Sequence, residues 1–380
     1  MFYLDPLYGQ LEISEKELAL FQTKALTRLR DVSLSAVHPL ISPFGMVGSR
    51  FEHSVGVGFL AKKLTQKKDF KKMAKNLYLA ALLHDIGSPP FSHLTERFQR
   101  EITGKNHEEF VETILKEKNL QKAIKRYGGD VETVSRLVKG KYLPWSDLIN
   151  GSIDLDNLDN TLRWGLGAGV FKSKFYDPEE IVNIFVFKDK KLALKIEYQA
   201  NIQTWELARR LAYDLVYSNL NLAPGSMITR ALQFAFENNE LDGSFFYLTD
   251  SQAFYLLENR FNSLTQKLTK AARFWQFYFL AADKITEEPS PKIKELCSSF
   301  GKITVLNDMM AQSLKIPRED ICLYAGKDKG FKKIHLPFIG EEIEQYHLPI
   351  IPLKWRVKVF LHPKHRNKEK AARSLLSEIS

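Results

Sequence analysis

Two histidines and several aspartates of this 380-residue chain have the residue types and the spacing of a metal site. His84 ends an apolar run and is followed at once by Asp85, while His53 lies in the earlier segment RFEHSVGVG. Burying a His–Asp pair is costly unless something compensates its charge. A divalent metal does so, because neutral imidazole nitrogens and carboxylate oxygens are among its ligands. A fourth ligand could come from the later segment IDLDNLDN, which contains Asp154, Asp156 and Asp159.

A set of two histidines and two aspartates favours particular ions. Mixed nitrogen and oxygen ligands suit Mn, Fe, Ni, Co or Zn better than they suit a dedicated calcium site. We therefore expect one divalent transition metal at the site, which Mg could accompany. Taken singly, each of these residues is more often structural, since a lone histidine beside an apolar helix is usually a core residue. Their order and surroundings favour the metal site.

The elements that position these residues are predicted to be helices. Residues 75–83 are nearly continuous in Leu and Ala, which predicts a central, buried helix that ends before Gly87 and two prolines. Residues 52–64 form a second helix with an apolar face. Ser14 and Glu17 form a capping box that predicts the start of a helix running on to Leu29.

Strand patterns occur in two places. The segments IFVF (184–187) and LALKI (192–196) flank the turn-like KDKK and predict a small β-hairpin. Beyond residue 236, helical segments at 251–258 and 268–280 give way to short pieces with prolines, and residues 356–361 alternate like a strand. We expect a mostly α fold, with a helical domain at residues 1–235 and a smaller α+β C-terminal lobe at 236–380 that ends in a basic tail.

Composition and charge exclude several classes of protein. Net charge is +10, from 55 basic and 45 acidic residues, which favours anionic ligands without choosing among nucleotide, nucleic acid and phosphorylated metabolite. Two isolated cysteines, Cys297 and Cys322, exclude a disulfide scaffold or a Cys-rich zinc site. The apolar stretches are shorter than the ~20 residues that span a bilayer. The first ten residues lack a basic signal region. We expect a cytoplasmic protein with no membrane contact.

Four motifs in order resemble a known family. They are RFEHSVGVGFLA (50–61), AALLHDIGSPPFSH (80–93), HEEF (107–110) and INGSIDLDNLD (149–159), with a weaker fifth, VYSNLNLAPGSMITRAL (216–232). The chain resembles the HD-domain metal-dependent phosphohydrolases over residues 1–235. It looks most like the branch with deoxynucleoside triphosphate (dNTP) triphosphohydrolases, the dGTPases and the SAM-and-HD-domain enzymes. The predicted helical domain would then be an HD-domain core.

The resemblance implies roles for individual residues. The metal ligands would be His53, His84, Asp85 and Asp156, because the second Asp of the IDxD motif is the family's ligand. Residues matching the family's phosphate-contacting or water-activating groups are His93, Glu96 and His107. The substrate-binding candidates are Arg50, Asn157, Asn160 and Tyr217. A metal lowers the pKa of a bound water toward 7 and polarises a phosphoryl oxygen, which suits phosphate hydrolysis. His93 and Glu96 are three residues apart and would share a helix face. Enzymes of this branch usually assemble, so a homo-oligomer is expected.

The chain departs from its family around the substrate. Ser88 stands where the triphosphohydrolase branch has a histidine, and Asn157 and Asn160 replace a basic residue and a tyrosine. Trp164 replaces an acidic residue, and could stack on a base or simply belong to the core. Tyr217 matches a base- or ribose-contacting tyrosine only with a one-residue gap. These changes predict intact metal chemistry and an altered dNTP pocket.

Three functions stay open from the sequence. The first is a dNTP triphosphohydrolase-like phosphohydrolase that acts on a nucleotide substrate. The second is an HD phosphodiesterase or nucleotidase, acting on a cyclic or signalling nucleotide or on a nucleic-acid end. The third is a nucleic-acid-binding protein with a structural HD site. Weak, salt-dependent nucleic-acid binding would come from basic residues near the C-terminal end, namely Lys354, Arg356, Lys358, Lys364, Arg366, Lys368, Lys370 and Arg373.

Overall fold

Helices dominate the computed structural model, which describes residues 1–45, 48–328, 334–340 and 353–379. Up to residue 237 the helices are α1 (Glu15–Phe21), α2 (Lys24–Arg28), α3 (Arg50–Leu64), α4 (Ala74–Leu83), α5 (Glu96–Thr103), α6 (His107–Ile114), α7 (Lys118–Tyr127), α8 (Val131–Val138), α9 (Asp147–Asn150), α10 (Leu155–Gly167), α11 (Pro178–Ile181), α12 (Gln199–Val216) and α13 (Asn219–Glu237). The later helices are α14 (Asp250–Asn259), α15 (Ser263–Arg273), α16 (Pro291–Ser298), α17 (Phe300–Leu314) and α18 (Glu369–Ser377). The mostly α fold predicted from the sequence is confirmed.

Three short sheets accompany the helices. The strands are β1 (Phe2–Asp5), β2 (Gly9–Glu12), β3 (Phe185–Lys188), β4 (Lys191–Lys195), β5 (Phe279–Thr286), β6 (Ile321–Lys327), β7 (Phe338–Ile339) and β8 (Trp355–Leu361). β3 and β4 form the predicted hairpin, with Phe185 opposite Leu194. Its turn residues Asp189 and Lys190 have φ of 51° and 62°, the left-handed backbone of a tight two-residue hairpin. β7 adds to β4 in parallel.

The C-terminal lobe is built on the third sheet. β8 lies between β5 and β6 and pairs antiparallel with both. The smaller of two apolar cores lies here and runs from Ala281 to Ile379. The larger core spans Leu7 to Tyr278 and also includes Cys322 and Phe360. The division of the chain into two domains at residue 235 stays a prediction.

Local signals explain the helices that hold the candidate ligands. Ser49 and Glu52 form a capping box before α3, in which the Glu52 carboxylate accepts the Ser49 backbone N–H at 2.6 Å. α4 packs on α3 and its residues 77–83 are buried throughout, as their Leu and Ala content predicts. Asp154 caps α10 by accepting the Asn157 backbone N–H at 2.7 Å.

Two helix predictions were wrong at their ends. The helix expected from Ser14 to Leu29 is broken, because the chain turns at Gln22 and Thr23 caps a new helix. The helix expected to reach residue 280 ends at Arg273. Trp275 then adopts a φ of 57°, and the chain from Phe279 extends to pair with β8. Tertiary pairing overrides local helical preference at this point.

No helix among the described residues is long and apolar enough to cross a membrane.

Candidate metal centre and the adjoining cavity

Three of the four predicted ligands converge on one point. Their ligand atoms, on His53, His84 and Asp156, all lie within 4.8 Å of one another. His53 comes from α3, His84 directly follows α4, and Asp156 lies in the first turn of α10. The His53 Nε2 is 3.0 Å from Asp156 Oδ1, and the His84 Nε2 is 4.0 Å from the same oxygen.

Both imidazole rings are oriented by bonds on their other nitrogen. The His53 Nδ1 is 2.7 Å from Asp159 Oδ1, and the His84 Nδ1 is 2.8 Å from the Ala81 carbonyl oxygen. With Nδ1–H donating in each case, both Nε2 atoms face the shared point. Carboxylate and carbonyl partners of this kind hold metal-binding histidines in the ligating tautomer.

Asp85 lies beside this cluster with one oxygen engaged. Its Oδ1 accepts hydrogen bonds from the Arg50 guanidinium at 2.6 Å and from the Ser88 hydroxyl at 3.1 Å. Its Oδ2 lies 3.5 Å from the His84 Nε2 and 3.9 Å from the His53 Nε2.

Two buried atoms show that a metal fits. Among the described residues, Asp85 Oδ2 and His84 Nε2 have no hydrogen-bond partner. Leaving buried polar atoms unpaired costs about 1–3 kcal/mol each. A cation bound by His53, His84, Asp85 and Asp156 would satisfy both atoms with ligand types that suit transition metals.

Charge pairing keeps the centre ionised. Burial alone lowers the pKa of His53, but bonds to Asp156 and Asp159 outweigh it and raise the pKa to about 9. Burial would raise the pKa of Asp85, but Arg50 and the two histidines hold it far below its ordinary value. The carboxylates are therefore negative at neutral pH, and a metal must displace a proton from His53 to bind.

A series of buried ion pairs lies next to His53, on the side away from the ligand atoms. Asp159 accepts two hydrogen bonds from Arg163, both at 2.8 Å, and Arg163 continues to Asp5 at 3.1 Å. Helices α3 and α10 approach closely here because residue 56 of α3 is glycine. A Cβ there would lie 2.0 Å from Asp159 Oδ2 and 2.5 Å from Arg163 Nη2.

The predicted catalytic residues also meet. The Glu96 Oε1 lies 2.9 Å from the His93 Nδ1 and 2.8 Å from the His107 Nδ1. His93 and Glu96 do not share a helix face as expected, because His93 lies in a 3₁₀ turn and Glu96 begins α5. Although burial opposes both shifts, the histidines lower the pKa of Glu96, and Glu96 raises the pKa of His107.

A cavity of about 450 Å³ adjoins this group. His93 and Glu96 line it, together with Asn160 and Tyr217 among the predicted substrate-binding residues. Trp164 also lines it, while its ring packs edge-on against Phe44. One residue can thus serve both the core and the cavity wall.

The other two substrate-binding candidates, Arg50 and Asn157, form hydrogen bonds with other protein side chains. The Arg50 Nε donates to the Ser92 hydroxyl at 2.7 Å, besides its bond to Asp85. The Asn157 amide donates to Asp154 at 2.8 Å, and its oxygen accepts a hydrogen bond from Arg209. Arg209 itself lines the cavity.

The sequence reasoning missed several roles and residues. Asp159 was named only as a candidate ligand, and its role in orienting His53 was not predicted, although it lies three residues after Asp156 on one helix. The cations that line the cavity are far apart in the chain and have no local signature, namely Arg97, Arg209, Arg230 and Lys327.

Comparison with known proteins agrees with the motifs. Among curated proteins, the chain is 31% identical over 244 residues to an uncharacterized protein of Methanocaldococcus jannaschii, covering 63% of this chain and 50% of that protein. It is 24% identical over 360 residues to a Dictyostelium discoideum protein named deoxynucleoside triphosphate triphosphohydrolase SAMHD1 homolog, covering 86% of this chain and 68% of that protein. The aligned regions thus span about half to two thirds of these relatives' lengths.

Solved structures share the fold. A crystal structure of a hypothetical protein from Aquifex aeolicus has a TM-score of 0.74 at 20% identity, covering 99% of both chains. A phosphohydrolase from Bacteroides thetaiotaomicron has a TM-score of 0.70 at 19% identity, covering 95% of this chain and 99% of that one. Residues 50–164 match the family model of the HD domain, a range that includes all four predicted ligands. The resemblance noted from the motifs is confirmed, and residues 50–164 of this chain form an HD domain.

Proposed function

We propose that the protein is a metal-dependent phosphohydrolase that acts on nucleotides in the manner of a dNTP triphosphohydrolase, releasing a deoxynucleoside and triphosphate. The observation that supports it most is the pair of unpartnered buried atoms, His84 Nε2 and Asp85 Oδ2, beside His53 and Asp156. The name of the Dictyostelium relative supports the same reaction type.

The metal would be held by His53, His84, Asp85 and Asp156, where it would supply a water of lowered pKa and polarise phosphoryl oxygens. Mn, Fe, Ni, Co and Zn all suit this ligand set.

The protein's own groups account for the remaining needs of the reaction. Hydrolysis at the α-phosphorus forms a new P–O bond to water and breaks the bond to the 5′ oxygen, which must gain a proton. Glu96 holds His107 protonated to higher pH than an isolated histidine, so this group can donate a proton. His93 faces the cavity from the other side of Glu96. Arg209, Arg97 and Lys327 bring positive charge to the cavity and would offset that of the phosphates.

A second candidate is a nucleotidase or phosphodiesterase on another nucleotide. It is favoured by the residues that depart from the triphosphohydrolase pattern, because Asn160 lines the cavity where the family has a tyrosine. A homo-oligomer and weak nucleic-acid binding stay predictions from the resemblance and the charge.

A product assay tests the proposal. Purified protein with Mn²⁺ is incubated with dNTPs, NTPs, monophosphates, cyclic nucleotides and a diester, and the products are separated by chromatography. We expect deoxynucleoside and intact triphosphate from dNTPs. Asp85→Ala and His84→Ala should abolish turnover and also the stabilisation by Mn²⁺, which reaches about 2.7 kcal/mol at a hundredfold excess over Kd.

The matched control is Asp214→Ala, since Asp214 is exposed on α12. It should keep both activity and Mn²⁺ stabilisation. Unchanged turnover in the Asp85 and His84 variants would refute the proposal. Intact dNTPs with a cleaved monophosphate, cyclic nucleotide or diester would replace it with the second candidate.

A further inference from the structure

Positive charge exceeds negative charge in the lining of the cavity. Its basic residues are Arg97, Arg209, Arg230 and Lys327. The part of the chain that the structure describes contributes one carboxylate to the lining, that of Glu96, and two histidines already bind it. A cavity with this balance of charge favours an anionic ligand.

Arg97, in the first turn of α5, has no carboxylate partner among the described residues. The hydrogen bond that it makes there runs from its Nη2 to the Ala325 carbonyl of β6, at 3.2 Å. Arg230, by contrast, pairs with Asp308 at 2.5 Å. A charge removed from water is costly unless an opposite charge compensates it. An anion in the cavity would supply the charge that Arg97 lacks.

The guanidinium of Arg97 can reach such an anion. Its side chain is only partly buried and lines the cavity. Its Nε and Nη1 have no partner in the described parts of the chain, and neither is among the fully buried atoms. A guanidinium has five N–H donors, of which the Ala325 carbonyl takes one. The other donors can bind the oxygens of a phosphate group.

Tyr324 of β6 brings a hydroxyl to the same part of the cavity. Its side chain is near enough to Arg97 that each affects the pKa of the other. The hydroxyl lies over Gly326, where a Cβ would overlap it. It has no hydrogen-bond partner within the described residues and is not fully buried. Tyr324 can therefore donate to the same ligand as Arg97.

The groups that act on Arg97 leave its charge uncompensated. Burial lowers the pKa of Arg97, and the two groups that oppose this shift are Tyr324 and Cys297. Burial raises the pKa of Tyr324 above its ordinary value and that of Cys297 to about 11. Both groups are therefore neutral near pH 7, so the phenol and the thiol bring no negative charge to the cavity.

Arg97 and Glu96 are directed to different parts of a ligand. Adjacent residues of an α-helix point about 100° apart, since 3.6 residues make a turn. Glu96 contacts the two histidines of the catalytic group, whereas Arg97 contacts β6. A phosphate bound at Arg97 is therefore a different one from the phosphate that reacts beside Glu96.

We propose that Arg97 and Tyr324 form a subsite for the phosphate groups of the nucleotide that do not react. This inference rests on the proposed function and deepens it, because such a subsite favours nucleoside di- and triphosphates over monophosphates and diesters. Strand β6 supplies Tyr324 and the carbonyl that holds Arg97. Recognition of the polyphosphate would thus depend on the C-terminal lobe, while the metal ligands come from the HD domain.

Binding of inorganic tripolyphosphate tests the subsite. Calorimetric titration is carried out in EDTA, so that the anion cannot bind through a metal. We expect Arg97→Ala to weaken binding about tenfold or more, and Tyr324→Phe to weaken it about two- to tenfold, the effects of a charged and a neutral hydrogen bond. With Mn²⁺ present, Arg97→Ala should raise the KM for dNTPs by a similar factor and change kcat less than about threefold. A nucleoside monophosphate should bind wild type and variant equally.

The matched control is Arg100→Ala. Arg100 lies on the same helix but is exposed and outside the cavity lining, so this variant removes the same charge without the proposed contact. It should bind tripolyphosphate as the wild type does. Unchanged stabilisation by Mn²⁺ would show that the Arg97 and Tyr324 variants are folded.

Two results would overturn the inference. One is equal binding of tripolyphosphate by the wild type, Arg97→Ala and Tyr324→Phe. The other is simultaneous binding of dATP and tripolyphosphate, because a subsite for the substrate's own phosphates cannot hold both. Weaker binding by the two variants without hydrolysis of any dNTP would support the subsite and contradict the proposed function alone.

Discussion

Asp159 links the metal centre to the buried arginine behind it. It accepts from His53 on one side and from Arg163 on the other, with no exposed side-chain surface. It therefore fixes the orientation of a ligand and neutralises a buried arginine at once. The nearby Asp156 is partly exposed and has no such second role.

Asp159→Asn should damage both stability and metal binding. Removing one charge from a buried network leaves its partner uncompensated, which typically costs about 3–5 kcal/mol. Losing the carboxylate behind a ligating histidine should weaken Mn²⁺ binding by about 10–100-fold. Urea denaturation and Mn²⁺ titration measure the two effects. Glu369→Gln is the control, because its pair with Arg373 is on the surface and should be worth under about 1 kcal/mol. Equal effects of the two variants would show that burial does not govern this network.

At the scale of elements, the first turn of α14 ties two loops together. The Asp250 carboxylate accepts the Ser33 backbone N–H at 2.9 Å and the Phe91 backbone N–H at 2.8 Å. Residues 34–37 line the cavity, and Phe91 lies two residues before His93. Phe91 and Ser92 both have positive φ, at 59° and 49°, so this loop needs an external anchor.

Asp250 should also make stability depend on pH. Burial raises its pKa from 3.8 to about 7, although the two backbone N–H groups oppose the shift. The folded protein thus binds a proton that the unfolded chain releases, so this contribution is full below about pH 4 and is lost as pH rises through about 7. As pH rises from 5 to 8, the free energy of unfolding measured in urea should fall less for Asp250→Asn than for the wild type.

Other titratable groups near Asp250 also make stability depend on pH. The His38 Nε2 lies 3.6 Å away, and burial lowers the pKa of His38 to about 4, which gives the opposite pH dependence. Asp31 and Arg50 act on Asp250 from greater distance. These groups are common to both proteins, so the difference between wild type and variant reports Asp250. The same pH profile in both proteins would contradict the prediction, and Asp214→Asn should match the wild type.

At the scale of the whole molecule, the basic tail is part of the C-terminal lobe. Ala372 and Leu376 of α18 are buried in the smaller core. Lys364 and His365 pair with the buried Asp320, at 2.7 and 2.9 Å. Removing the tail would therefore uncover apolar side chains and leave a buried carboxylate with fewer partners.

Deletion from residue 364 should lower the unfolding temperature and cost at least about 3 kcal/mol, the effect of breaking a buried ion pair. The control is Lys370→Gln, because Lys370 is exposed on α18. This variant should leave thermal stability unchanged. Only charge-neutralising variants of this kind can test whether the tail binds nucleic acid, by a reduced salt dependence of binding. A deletion variant as stable as the full chain would show that the tail is not part of the lobe's core.

Short-range patterns in the sequence determined much of this protein. The order of His53, the His84–Asp85 pair and the IDxD motif indicated the HD domain and the predicted ligands. Capping residues and apolar runs predicted the helices that hold them, and a turn between two apolar segments predicted the hairpin. These features depend on neighbours within a few residues, so they can be read along the chain.

Only the tertiary structure decided what lies around the ligands. Three hydrogen-bonded pairs join residues that are 35 to 106 positions apart in the chain. They are Arg50 with Asp85, His53 with Asp159, and Asn157 with Arg209. The cavity joins residues from 34 to 327, and Arg230 of α13 donates to Asp308 of α17 beside it. Such contacts follow from how buried surfaces of distant elements fit together, and neither residue type nor spacing encodes that fit locally.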